Sequence, residues 1–298
     1  MSAVPYIRAE DVEHLLTWPK MVDALHAGHR QNPAKISDQF LRRGDDTLMA
    51  RAAWIDGFGA AVKTFTVLPE NPARGLPSVQ GAMVLFADET GEVEAILDFD
   101  LVTKWKTIAD SLLGVRLLAR PDARRVLIVG TGRVAANLVA AYRAFLPDCE
   151  ISIWGRDPAK AAALGPVVED LERAVRGADI ISCATMANTP LIKGEWLQTG
   201  QHLDLIGAFK ADMREADDLA MQRSKLFVDS RTSAAHVGEI AIPLASGAIA
   251  ASDILADLYE NPERRSADDI TLFKNAGGAH LDLMVGREIL RVWKNIPS

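Results

Sequence analysis

The 298-residue sequence predicts an α/β protein made of a doubly wound parallel sheet and a separate α+β unit. Three observations lead there. Residues 47–100 hold short strand-like runs broken by Gly, Pro and Asp; residues 126–229 alternate apolar strands with helical spacings; a polar break at 121–125 separates the two patterns. Strands alternating with helices pack as a parallel sheet covered on both faces.

In order along the chain, residues 9–29 read as helix, with Leu15, Leu16, Met21, Val22 and Leu25 at helical spacing and Pro19 as a break or new first turn. Strands follow at 47–54, 59–67, 82–87 and 93–98, the last two joined by a D-E-T-G turn at 88–91. Residues 101–119 return to a helix with Leu112, Leu113, Leu117 and Leu118 on one face. Beyond the polar break come a strand at 126–130, a helix at 134–145 and a strand at 150–154, then strands at 180–184, 202–206 and 226–229. A last helix at 279–293 can pack back on the first unit. The expected domains are therefore 1–120 completed by 279–298, and 121–278.

Hydrophobic residues make up 49% and charged residues 24%, as in soluble globular proteins, and this length buries a core without disulfides or metals. A net charge of −7 is a poor match for phosphate backbones, so no nucleic-acid partner is expected. Cys149 and Cys183 form no C-x-x-C pair, no Cys/His cluster has zinc-ligand spacing, and both cysteines read as reduced thiols. Residues 1–10 lack the basic-then-apolar layout of a signal peptide, and no apolar run reaches the roughly 18 residues of a membrane span. The expected location is the cytoplasm, without a membrane partner. His202, His236 and His280 stand apart and read as ordinary structural or surface residues, no G-x-S-x-G elbow occurs, and no metal site is expected.

The strongest motif is R-V-L-I-V-G-T-G-R-V-A at 125–135. Four apolar residues form a buried strand, Gly130 allows the tight turn, Gly132 lets the backbone approach a pyrophosphate, and Ala135 lets helix and strand pack closely. The amides around Thr131, Arg133 and Val134 face the anion at the helix start. The spacing to the strand at 150–154 makes this a Rossmann unit for a nicotinamide dinucleotide. At the end of that second strand stands W-G-R-D-P-A-K, 154–160. Arg156 lies near the position where an acidic residue would take a ribose 2′-OH, and Lys160 lies one helical turn on. Both suit a 2′-phosphate, so NADPH is favoured, with NADH possible. Asp157 opposes this if it turns inward, but with Pro158 behind it, it also reads as a helix cap.

Several separated segments resemble the ornithine cyclodeaminase/mu-crystallin family. They are A-V-K-T-F-T-V-L-P-E-N at 61–71 with G-L-P-S at 75–78, T-G at 90–91 and the helix at 101–113, I-G-A-F-K-A-D-M-R-E at 206–215, and T-L-F-K-N-A-G at 271–277. The resemblance implies a substrate-binding domain that also forms a homodimer, a Rossmann domain, and a C-terminal helix returning to the first domain. It implies chemistry at the Cα–N bond of a small amino or imino acid. Lys63 matches a family lysine expected near the substrate carboxylate and the reacting nitrogen, and is the catalytic candidate. Lys106 stands where the family usually has Arg, which exchanges a bidentate grip for a point charge; Arg51 or Arg42 can take over, with Arg42 and Arg43 near the place of another carboxylate-binding arginine. Thr107 matches a threonine beside the cofactor phosphates, and Thr185 and Gly207 complete the cofactor set.

Phe209 occupies a position that in the cyclodeaminases of this family carries a proton-transferring aspartate, and Asp212 is three residues away. Phe cannot move a proton, so hydride transfer to an imine is favoured over cyclodeamination. The expected activity is reduction of a small cyclic imino acid, with Δ1-pyrroline-2-carboxylate ahead of Δ1-piperideine-2-carboxylate. The alternatives are ornithine cyclodeaminase, an amino-acid dehydrogenase or linear imino-acid reductase, and a crystallin-like NADPH-binding protein without activity. The segment 159–169 is short for the family, so a small third Rossmann strand is expected.

Overall fold

A computed structural model describes residues 3–296. The chain forms two compact units, Met1–Lys106 with Gly278–Ser298, and Thr107–Gly277. The division falls inside the helix Phe99–Leu118 rather than at the polar break. The reason is visible around Asp179, which takes the amides of Arg124 and Arg125 at 3.0 and 2.9 Å and the guanidinium groups of Arg125 and Arg120 at 2.8 and 3.2 Å. The segment that reads as a linker is thus pinned into the second unit.

In the first unit six strands form one sheet: β1 (Tyr6–Ile7), β2 (Lys35–Arg43), β3 (Asp46–Ile55), β4 (Gly59–Val67), β5 (Val79–Phe86) and β6 (Val93–Asp98). Their order is β1-β6-β5-β4-β3-β2, antiparallel throughout except for the β1–β6 pair. Sequence patterning finds neither β1, which has two residues, nor β2, whose sequence K-I-S-D-Q-F-L-R-R is exposed on both sides and so has no alternation. Its pairing along the whole of β3 makes β2 a strand. One face of the sheet buries Ala53, Ile55, Ala61, Met83, Leu85, Ala95 and Leu97. The helix Ala279–Lys294 packs against β3, β4 and β5 and against the helix Trp18–His29, in which Pro19 sits in the first turn. The opposite face carries Tyr6, Ile96, Val84, Val62 and Ala52 in one cross-strand row, with Leu41 directly opposite Leu48 and Trp54 further along.

In the second unit seven strands, β7 (Arg125–Val129), β8 (Glu150–Trp154), β9 (Ile180–Cys183), β10 (His202–Leu205), β11 (Lys225–Val228), β12 (Ile254–Asp257) and β13 (Thr271–Lys274), form a sheet of order β12-β11-β13-β10-β9-β7-β8. Every neighbouring pair is parallel. The central strands read as unbroken apolar runs because helices cover both faces, and Leu127, Val129, Ile181, Leu203, Leu205, Leu226, Val228 and Leu272 form the core. Strands β12 and β13, four residues each, lie outside the strands expected from the sequence and are added to that set. The third Rossmann strand is a single bridge, Ile153 to Val167. From β7 the chain goes to β8 on one side and later to β9 on the other, so the carboxyl ends of β7 and β9 form the topological switch point, where open parallel sheets take their ligands.

Asp179 ties a loop to two strands, and removing its carboxylate strands two amides and two guanidinium groups. Asp179→Ala is expected to lower the unfolding free energy by about 2–3 kcal/mol in a denaturant titration. Because those partners hold the carboxyl of Asp179 well below its usual range despite the opposing effect of burial, its contribution is full above the unfolded value near ~4 and fades as pH falls below it.

Candidate functional site

At the switch point, Gly130 ends β7 with φ of 130°, and a Cβ there would lie 2.5 Å from the carbonyl oxygen of Ala184. Only glycine fits. Gly132 caps the helix Arg133–Phe145, and nothing lies within 4 Å of where its Cβ would be. Ala135 is fully buried where helix meets strand. This arrangement fits a pyrophosphate: an open approach, then first-turn amides at the positive end of a helix dipole. Thr131 and Val134 are half-buried and Arg133 is exposed beside it.

At the end of β8, Arg156 and Lys160 are exposed. Asp157 caps the helix Pro158–Ala162, its Oδ1 accepting from the amides of Ala159 and Lys160 at 3.0 and 3.3 Å, and its Oδ2 lies 3.9 Å from Lys160 Nζ. The acid is thus occupied as a cap, and its charge is partly offset by the lysine.

Thr185 and Gly207 follow β9 and β10. Their amides point at Glu215, which takes Thr185 N and Oγ1 at 2.7 and 2.8 Å on one oxygen and Gly207 N at 2.6 Å on the other. A Cβ on Gly207 would stand 1.9 Å from the Thr185 carbonyl oxygen. Glu215 is itself held by Glu239, which accepts from the amides of Glu215 and Ala216 at 2.7 and 3.1 Å. Burial pushes both carboxyls up, Glu239 to about 7 with help from the charge of Glu215 and against Lys274. These two glutamates escape sequence reasoning; the only signal is Glu215 closing the 206–215 segment. Thr107, half-buried, gives its carbonyl to Asn275 Nδ2 at 2.9 Å. Phe209 stands 56% exposed at the same carboxyl edge, under Lys210 Nζ at 5.6 Å from the ring centroid.

In the first unit, Lys63 lies on β4 directly across from Arg51 on β3, which in turn lies across from Asp38 on β2. Lys63 is 3% exposed. Its Nζ donates to Asp282 Oδ1 at 2.6 Å and lies 3.5 Å from Thr103 Oγ1, with the Phe99 and Phe65 ring centroids 5.3 and 6.0 Å away. Burial lowers its pKa to about 8; Asp282 opposes the shift, while Lys106 and Arg51 add to it. The carboxyl of Asp282 is pushed up by burial, but the charges of Lys63, Lys106 and Arg51 prevail and hold it below its usual value. Lys106 is buried on the helix Phe99–Leu118. Arg51 forms a two-pronged pair with Asp38, Nε and Nη2 donating at 3.0 and 2.8 Å.

The structure therefore brings Lys63, Arg51 and Lys106 together and keeps Arg42 apart. Arg42 lies four residues along β2 from the Asp38–Arg51 row, roughly 13 Å at strand rise, and is exposed. Arg43 is spent on Asp46 at 2.8 Å. In the first unit, Asp282 is the residue that sequence reasoning misses. Its signal is an acid on the apolar stripe of the last helix, three, four and seven residues before Val285, Gly286 and Ile289. Three cations face two carboxylates here, an excess of one positive charge that matches one ligand carboxylate. His29 and His280, buried beside each other with ring centroids 5.4 Å apart, are driven to the neutral form by burial. No group of three His, Cys, Asp or Glu side chains among the described residues could hold a metal, and no described helix is long and apolar enough to cross a membrane.

Known proteins match this frame. A Delta(1)-pyrroline-2-carboxylate reductase of Paracoccus denitrificans is 52% identical, with 98% of each chain covered. The structure of the Thermococcus litoralis Delta(1)-pyrroline-2-carboxylate reductase in complex with NADH and L-proline superposes with a TM-score of 0.86 at 25% identity over 97% of both chains. An archaeal alanine dehydrogenase dimer with bound NAD superposes at 0.89 with 26% identity, covering 99% of this chain and 98% of that one. The profile of the ornithine cyclodeaminase/mu-crystallin family matches residues 8–295, and the chain belongs to that family.

Proposed function

We propose that this protein is an NADPH-dependent reductase of small cyclic imino acids, converting Δ1-pyrroline-2-carboxylate to L-proline. The observation that carries the reading is the cationic cluster of buried Lys63 and Lys106 with half-buried Arg51, with its single surplus charge and two phenyl rings beside the lysine. That cluster suits a compact monocarboxylate with an apolar ring. The relatives support the substrate class: one is named for this reaction, and another was solved with L-proline and NADH.

When bound, the dinucleotide supplies the hydride. The amides at the start of the helix Arg133–Phe145 would hold its pyrophosphate, and Arg156 with Lys160 would meet a 2′-phosphate. The cations of the first unit fix the substrate carboxylate and so orient the C=N carbon. Lys63 spends one N–H on Asp282 and gives a proton from another to the imine nitrogen, which makes the adjacent carbon a better hydride acceptor. One proton and one hydride added across C=N give the amine. Phe209 leaves no acid at its place for release of ammonia from an amino acid, which disfavours cyclodeamination. We assign the half-exposed apolar face of the first unit's sheet to a homodimer, in keeping with the dimeric alanine dehydrogenase neighbour. Free Cys149 and Cys183 suit the reducing cytoplasm.

The direct test follows nicotinamide absorbance with Δ1-pyrroline-2-carboxylate. Rapid oxidation without added ammonia supports the reading; oxidation only with an oxo acid plus ammonia makes the protein an amino-acid dehydrogenase, and tight NADPH binding without turnover makes it a binding protein. Lys63→Met is expected to lower kcat about 10²- to 10⁴-fold with NADPH affinity kept, and wild-type kcat should fall as pH rises through about 8, where Lys63 loses its proton. Replacing Arg156 and Lys160 by Ser should cut the NADPH-to-NADH preference by about tenfold or more, as expected for lost charge-assisted bonds. Light scattering should give twice the chain mass, and Val84→Glu, which puts a charge in the middle of the apolar face, should give the monomer; a monomeric wild type removes the dimer.

A further inference from the structure

Asp282 has no part in binding or hydride transfer as described above, yet it is the group nearest the reacting lysine. It is 1% exposed, it reaches Lys63 from a helix 219 residues away in sequence, and their separation is 2.6 Å. Its second oxygen, Oδ2, is buried without a hydrogen-bond partner among the described residues. An unmet buried acceptor costs about 1–3 kcal/mol, so Asp282 is held at a cost that its contact with Lys63 has to offset. Its surroundings are also one-sided. The charged groups facing Lys63 are Asp282 from the last helix, Lys106 from the helix Phe99–Leu118 and Arg51 from β3; Arg51 carries Asp38 behind it, and the buried histidines His29 and His280 are neutral. Without Asp282, Lys63 would be a desolvated cation beside two other cations.

We infer that Asp282 is a positioning residue for imine reduction: it keeps the Lys63 ammonium charged and aimed, and thereby sets the upper pH limit over which Lys63 can donate its proton. The inference rests on the reading of Lys63 as proton donor. Asp282 touches no substrate atom in this scheme; it acts through Nζ. Its loss should therefore move a pH profile, which a merely structural role leaves in place.

The test compares kcat against pH for wild type, Asp282→Asn and Asp282→Glu at saturating NADPH. In Asp282→Asn the alkaline limb should move to lower pH by about one unit or more, with NADPH affinity within about twofold of wild type. A uniform loss at every pH, with the limb unmoved, overturns the assignment. Asp282→Glu keeps the charge but displaces Nζ, so the limb should stay while kcat falls about tenfold to a hundredfold; full wild-type kcat overturns the positioning role, and this variant decides the matter if Asp282→Asn does not fold. A second readout needs no turnover. In protein labelled with ¹⁵N-lysine, the Lys63 signal, identified by its loss in Lys63→Arg, should titrate at lower pH in Asp282→Asn than in wild type, and an unchanged midpoint overturns the assignment. If the midpoint moves but wild type reduces no imino acid, the control of the Lys63 charge by Asp282 stands and the functional reading falls.

Discussion

A lysine ammonium buried inside a sheet-and-helix unit is the constraint on which the first unit depends. An unpaired buried cation costs several kcal/mol or neutralises itself, so a charged Lys63 requires a carboxylate within hydrogen-bonding reach. The sheet does not provide it: Asp38, the acid in the same cross-strand row, is engaged by Arg51. The partner comes from the other end of the chain. The helix Ala279–Lys294 covers the apolar face of the sheet and brings Asp282 to Lys63, so one element supplies both burial and charge. Hydrophobic packing holds the helix there, and the ion pair fixes which residue of that helix faces β4.

The second unit uses buried carboxylates differently. Asp179 collects amides and guanidinium groups where the loop enters β7, while Glu215 and Glu239 collect amides at the opposite, carboxyl end of the sheet. Glu215 consumes the amides of Thr185 and Gly207, so those residues shape the edge through their backbone position rather than by donating to an anion. The first-turn amides beyond Gly132 are the ones to which the proposed reading assigns a pyrophosphate. The carboxyl edge of the sheet is thus pinned by buried carboxylates, the kind of preorganisation that the proposed hydride transfer requires.

The parts of the site legible in the sequence are those whose chemistry is local. A strand, two glycines and a helix start lie within eleven consecutive residues, and the structure forms them with Gly130 at a positive φ and Gly132 open on its Cβ side. The cap role of Asp157 is likewise written in the Asp-Pro pair that follows Arg156. Lys63 is legible only through the family resemblance. The choice between Arg42 and Arg51 was not legible, because it depends on the register of β2 against β3, and β2 has too polar a pattern to be recognised as a strand at all.

By itself, the sequence determined the fold class, the alternation of strands and helices, the glycine turn after β7 and the family, since each is carried by residues close together or by ordered motifs. Only the tertiary structure decided that Asp282 is the counter-charge of Lys63, that Arg51 rather than Arg42 stands beside it, and that Glu215 organises the ends of β9 and β10. Those are juxtapositions of separate elements, across 219 residues for Lys63 and Asp282, and they depend on which groups the packing and the strand register bring together.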